Sequence, residues 1–151
     1  MPPSTRRWRC TTPVLKRNPR DIDAAYGRWN AENGKADILL GDSHAAEAAA
    51  QITQALIKGQ GLPASGAYAA MKPLLIAASE NALGDAVYDE AAPEPAIAHY
   101  KNAVATLEAA RDSGVLDVRI LIRLGSYYYQ VAASYQDTHR PAEAWSGSTR
   151  V

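Results

Sequence analysis

Phenylalanine is absent from the 151 residues, and cysteine occurs once, as Cys10. A single cysteine forms no intramolecular disulfide, so nothing argues for an oxidising compartment. One cysteine and three scattered histidines also make a zinc site improbable, and no metal or cofactor is expected. Long apolar runs are missing too. Stretches such as Leu74–Ala78 fall far below the roughly 18 residues of a membrane helix. No apolar segment follows the early arginines, so no secretory signal is expected. The expectation is a chain that does not enter a membrane and works in the cytoplasm. The shortage of aromatic and β-branched residues argues against a sandwich or barrel.

Alanine is what the chain has in excess, about thirty residues. It is the best helix former and lets helices approach closely. The length suits one domain. Net charge is zero, with 16 basic and 16 acidic residues, but the charges are unevenly spread. Residues 1–20 hold Arg6, Arg7, Arg9, Lys16, Arg17 and Arg20 and no acid. Four prolines there spoil any amphipathic helix. The expectation is a mostly disordered basic arm over residues 1–36, a helical domain over 37–145 and a flexible tail over 146–151. An arm of this kind has the charge to meet nucleic acid phosphates.

Helical spacing runs through most of the remainder. Asp21 can cap a short helix through Tyr26 and Trp29 that ends near Asn33-Gly34. Asp42 or Ser43 can cap a second, with Ala45, Ala48, Ala49, Ile52, Ala55 and Leu56 on one face and Gly59 as its stop. Ser65 can cap a third, in which Pro73 predicts a kink or a break. Ala96, Tyr100, Ala103, Val104, Leu107 and Ala110 mark the clearest helix, closed by Ser113-Gly114. A further helix covers residues 116–135, with Val118, Leu121, Ile122, Leu124, Gly125, Tyr128, Val131, Ala132 and Tyr135 as its apolar positions. Pro141 can start a last short helix through Trp145. The fold class is therefore all-α, built of antiparallel helical hairpins.

Leu83-Gly84 and Leu124-Gly125 lie 41 residues apart, an interval that prompts a search for helical repeats. Residues 77–110 supply Leu83, Gly84, Val87, Ala96, Tyr100 and Ala103. Residues 118–145 supply Leu121, Leu124, Gly125 and Tyr128, then run long before Pro141, Ala142 and Trp145. At these positions the chain resembles a tetratricopeptide repeat. The likeness departs at Glu80, where a bulky apolar residue is usual, and at Glu108, where proline often closes the unit. The physical sense is that Gly84 and Gly125 remove a side chain where a neighbouring helix lies close, while Tyr100 fills the gap between layers. The resemblance implies a superhelix of hairpins, with a closed bundle as the alternative.

It also implies a concave face on the first helix of each unit. That face would hold Asn81, Asp85, Tyr88 and Asp89, then Arg119, Ile122, Arg123, Ser126, Tyr129 and Gln130. In some members of the family, basic residues at the places of Arg119 and Arg123 grip a terminal carboxylate. Arginine suits that task because its fork binds carboxylate bidentately. Asp85 or Asp89 can instead pair with Arg119 or Arg123 across the groove.

No catalytic constellation is evident. His44, His99 and His139 have no Ser, Cys or carboxylate at the spacing of a nucleophile motif. Asp85, Asp89 and Glu90 read as a solvated acidic face. Tyr127-Tyr128-Tyr129 cannot all be buried on one helical face, so at least one should be exposed. The reading is a non-catalytic interaction module that binds a peptide segment or self-associates through a helical groove. The alternatives are a regulatory or nucleic-acid-associated protein using the basic arm, and a small helical enzyme.

Overall fold

A computed structural model describes residues 21–88 and 92–137. They form five helices, α1 (Ile22–Gly41), α2 (Ala45–Gln60), α3 (Tyr68–Val87), α4 (Glu94–Asp112) and α5 (Val118–Asp137). No strand occurs among the described residues, and the fold is all-α. The basic positions Arg6 to Arg20, together with Cys10, Asp89, Glu90, His139, Pro141 and Trp145, lie outside the described residues.

Helix α1 begins as expected. The Asp21 carboxylate accepts the Ala24 amide at 3.1 Å, satisfying one of the free donors of the first turn. The helix does not stop at Asn33-Gly34, and residues 22–36 belong to the fold rather than to the arm. Tertiary burial overrides the local turn signal. Tyr26, Trp29, Asn33 and Ala36 are all buried, whereas Gly34 faces solvent. A glycine inside a helix costs about 1 kcal/mol relative to alanine. Burying an aromatic such as Trp29 returns more than that.

The turn after α1 explains a second difference. Ser43 adopts a left-handed φ of 63°. Its amide donates to the Leu40 carbonyl at 3.1 Å, and the His44 amide donates to Leu39 at 2.8 Å. This is a Schellman closure. Asp42 and Ser43 thus end α1 instead of capping α2, and His44 occupies the N-cap without a side-chain bond. Gly114, with φ 90°, closes α4 in the same way, as Ser113-Gly114 predicts.

Two further expectations change. Gly59 does not stop α2. It lies under Trp29, where an added Cβ would overlap the indole ring. Of the kink or break expected at Pro73, the break does not occur, and α3 runs from Tyr68 to Val87 with the proline inside it. Ser65 makes no side-chain cap, and Ala67 holds the N-cap position of α3. The Lys72 ammonium instead ties the start of α3 to the end of α2. It donates to the Gln60 and Leu62 carbonyls at 2.7 and 2.6 Å.

Each helix packs on the next in sequence; α1 also touches α3, and α3 touches α5. Among the described residues α1 makes no such contact with α5, so the ends of the stack do not close on one another. Helix α3 serves two apolar clusters. One joins α1, α2 and α3 around Tyr26, Trp29, Ile52 and Leu83. The other joins Ala77 of α3 to Tyr100, Leu107, Ile120, Leu124 and Tyr127. Between α1 and α3 lies a buried polar link. The Trp29 indole donates to Ser79 Oγ at 3.2 Å, and Asn33 Oδ1 lies 3.0 Å from the same hydroxyl.

The two hairpins share an internal likeness. Glu32, Asn33, Ala36, Asp37, Ala48, Ile52 and Ala55 precede Glu80, Asn81, Gly84, Asp85, Ala96, Tyr100 and Ala103 by 48 positions each. The small residues and Ile52 or Tyr100 are buried at equivalent places in both. Gly84, the equivalent of the buried Ala36, is a point of close approach. At Gly84 an added Cβ would overlap the Tyr100 ring.

The buried side of α5 differs from the expected one. Ile120, Leu124, Tyr127, Val131 and Tyr135 face the core, whereas Val118, Leu121 and Ile122 are exposed. Among the described residues nothing lies within 4 Å of where a Cβ on Gly125 would stand, so none of the five helices approaches it. The spacing shows where apolar residues lie but not on which side the neighbours sit.

Candidate interaction groove

Helices α1, α3 and α5 lie side by side, and their polar faces form a groove with α3 at its floor. At one end a cleft of about 410 Å³ is lined by Asp23, Tyr26, Gly27 and Asn30 of α1, Tyr68, Met71 and Leu75 of α3, and Arg119 of α5. Tyr26 and Tyr68 stack there, with ring centroids 4.5 Å apart. The Tyr68 hydroxyl donates to Asp23. The Tyr26 hydroxyl donates to the Pro63 carbonyl at 2.6 Å, and burial raises its pKa.

The other end is a cleft of about 420 Å³, lined by Asp85, Tyr88, Tyr100, Tyr129, Gln130, Ala133 and Ser134. Asp85 organises it. Its Oδ1 accepts the Tyr100 hydroxyl at 2.8 Å and the Gln130 amide at 3.0 Å. Its Oδ2 lies 3.3 Å from the Asn81 amide nitrogen. One carboxylate therefore links α3, α4 and α5. Burial raises the Tyr100 pKa strongly, and the bond to Asp85 adds to the effect, so this phenol stays a donor.

Between the clefts, charges from all three helices meet. The Asp37 carboxyl is raised above its usual range, first by desolvation and then by Asp85, with Arg123 opposing. Burial raises Tyr127, which also feels Arg123, Asp85 and Asp37. Asp37 and Asp85 are equivalent residues of the two hairpins. The groove thus repeats a carboxylate on α1 and α3 and sets Arg123 of α5 near them.

The structure brings Asn81, Asp85, Tyr88, Arg119, Tyr129 and Gln130 to this surface as the sequence predicts. Arg119 is already engaged. Its guanidinium holds Asp117 through Nε and Nη2, at 3.0 and 2.7 Å. The cross-groove pairing of Asp85 with an arginine is not formed; Asp85 is taken by Tyr100, Gln130 and Asn81. Ile122 is exposed, and the Ser126 hydroxyl turns back to the Ile122 carbonyl at 3.3 Å. Tyr127 is buried, Tyr128 half-buried and Tyr129 77% exposed, which resolves the tyrosine run. Asp23, Asn30, Asp37, Tyr68 and Met71 were not among the predicted residues. The signal for Asp37 was the shared pattern of Glu32-Asn33 and Asp37 with Glu80-Asn81 and Asp85.

His44 is exposed at the start of α2, and His99 Nδ1 lies 2.8 Å from Glu80 Oε2 between α3 and α4. Among the described residues no group of three or more His, Cys, Asp or Glu could hold a metal ion. No described helix is long and apolar enough to cross a membrane. The chain matches no family model, no curated protein and no solved structure.

Proposed function

We propose that this protein is a non-catalytic interaction module of tetratricopeptide type, which binds an extended peptide along the groove of α1, α3 and α5. The observation that carries this reading is the central charge set, Asp37, Asp85 and Arg123, contributed by three helices and flanked by two tyrosine-lined clefts. Fixed charges of both signs on rigid helices select a peptide carrying both signs. Its acidic side chain or terminal carboxylate meets Arg123, and its basic side chain meets Asp37 and Asp85. Exposed Tyr129 and Tyr88 offer large, rigid contact area at low entropic cost.

The test is selection from a random peptide display library on the full chain, followed by fluorescence anisotropy of the enriched peptide. Arg123→Glu and Tyr129→Ala should each weaken it at least about tenfold, the scale of an interface hot residue. A library that enriches no sequence refutes the reading. So does a selected peptide that binds both variants as it binds the parent.

A further inference from the structure

The far side of α5 carries an apolar stripe that nothing in the described fold covers. Val118 is 68% exposed, Leu121 58%, Ile122 63% and Tyr129 77%, with Gly125 open among them. Leu116, just before the helix, is 98% exposed. This side continues an interface already built twice in the molecule. The equivalent side of α1 receives α2 and α3, and that of α3 receives α4 and α5. On α3 the equivalent of Gly125 is Gly84, which Tyr100 covers. On α5 no described residue covers the same small residue.

We infer that this face is covered by a second copy of the chain, α5 against α5 about a two-fold axis through Gly125. The stripe is complementary to itself. In an antiparallel pair centred on Gly125, Leu121 of one copy meets Tyr129 of the other, and Ile122 meets Tyr128. Val118 meets Ala132. Arg119 and Arg123 turn toward the groove and stay out of the contact, so no like charges are apposed. The four exposed side chains offer roughly 500 Å² per copy, about 1,000 Å² in a pair, if a large side chain presents about 150–250 Å². That reaches the lower edge of specific interfaces, the size of weak, reversible contacts.

The opposite end of the stack does not fit this stripe. The outer side of α1 presents Lys35 beside Ile38, so a head-to-tail contact would meet one exposed apolar side chain and bury a charge. A two-fold contact closes on itself and stops at the dimer. The pair and the groove share Tyr129, but Leu121 and Val118 line neither cleft, so Leu121→Glu tests the pair without touching the groove.

Sedimentation velocity of the full chain over a concentration series gives the first reading. The expected result is a reversible monomer–dimer equilibrium. Leu121→Glu should weaken it at least about a hundredfold, because each dimer would bury two unpaired carboxylates. Circular dichroism should show the helicity of this variant unchanged. A second reading does not depend on that variant. Cys10→Ser combined with Gly125→Cys should cross-link to a dimer with a bis-maleimide spanning about 8–10 Å, the usual spacing of packed helices. A chain that stays monomeric throughout overturns the inference, as does a dimer indifferent to Leu121→Glu. A monomeric double variant whose single introduced thiol resists maleimide also overturns it, because the chain then covers its own α5.

Discussion

Gly84→Ala and Gly125→Ala are the same substitution in two helices that share a Leu-Gly pair, and they should move stability in opposite directions. At Gly84 the new methyl would overlap the ring of Tyr100. That ring is 2% exposed and has no free space to enter. Overpacking of this kind costs about 1–3 kcal/mol. Displacing the ring also breaks its 2.8 Å bond to Asp85, a charged acceptor, for about 1.5–3 kcal/mol more. Alanine returns about 1 kcal/mol of helix propensity. The net expectation is a loss of about 1.5–5 kcal/mol. At Gly125 no described residue lies within 4 Å, so in the monomer, at concentrations too low for pairing, only the propensity remains and a gain of up to about 1 kcal/mol is expected. Urea unfolding followed by circular dichroism at 222 nm measures both on one scale, with the m-value as a check on two-state behaviour. A Gly84→Ala chain as stable as the parent would refute the reasoning. It would mean that Tyr100 is not locked between α3 and α4.

Ser79→Ala should cost about 1–3 kcal/mol in the same urea assay, since it strands the buried Trp29 indole donor. Trp29 fluorescence should shift, and an unchanged midpoint would show that the buried link is not formed. Asp37→Asn should raise the melting temperature at neutral pH. The Asp37 carboxyl is raised in the folded state, so its charged form is disfavoured there and folding is penalised above the ordinary carboxyl range. Below that range both chains carry a neutral group, and the advantage of Asn should vanish. A gain that persists in acid would assign the effect to packing instead of charge.

How far the sequence spoke depends on the element. The Gly84, Ala96, Tyr100 and Ala103 spacing was readable because one residue pair explains it, a glycine under a tyrosine ring. At Gly125 the same Leu-Gly signal meets no neighbour among the described residues, because spacing marks a small residue and not which helix lies above it. Helix α1 was the larger loss. Asn33-Gly34 is a turn signal on local grounds, and only the burial of Asn33 and Ala36 against α3 outweighs it. Assigning residues 22–36 to the arm removed Asp23 and Asn30 from the groove before it could be assembled. Asp85, Tyr88, Tyr129 and Gln130 were legible because they share one face of α3 or α5 in the expected register. Asp37 was legible only through comparison of the two hairpins with one another.

The place of α3 in both apolar clusters bears on how the chain folds as it is made. Each described helix contacts its neighbour or next neighbour, so none of these pairings waits for a helix further along. The first cluster is complete once residue 87 has emerged, and α3 then offers its other side to α4 and α5. Such short-range order favours rapid folding. Substitutions on α3 should therefore slow folding itself, while those on α5 should chiefly hasten unfolding.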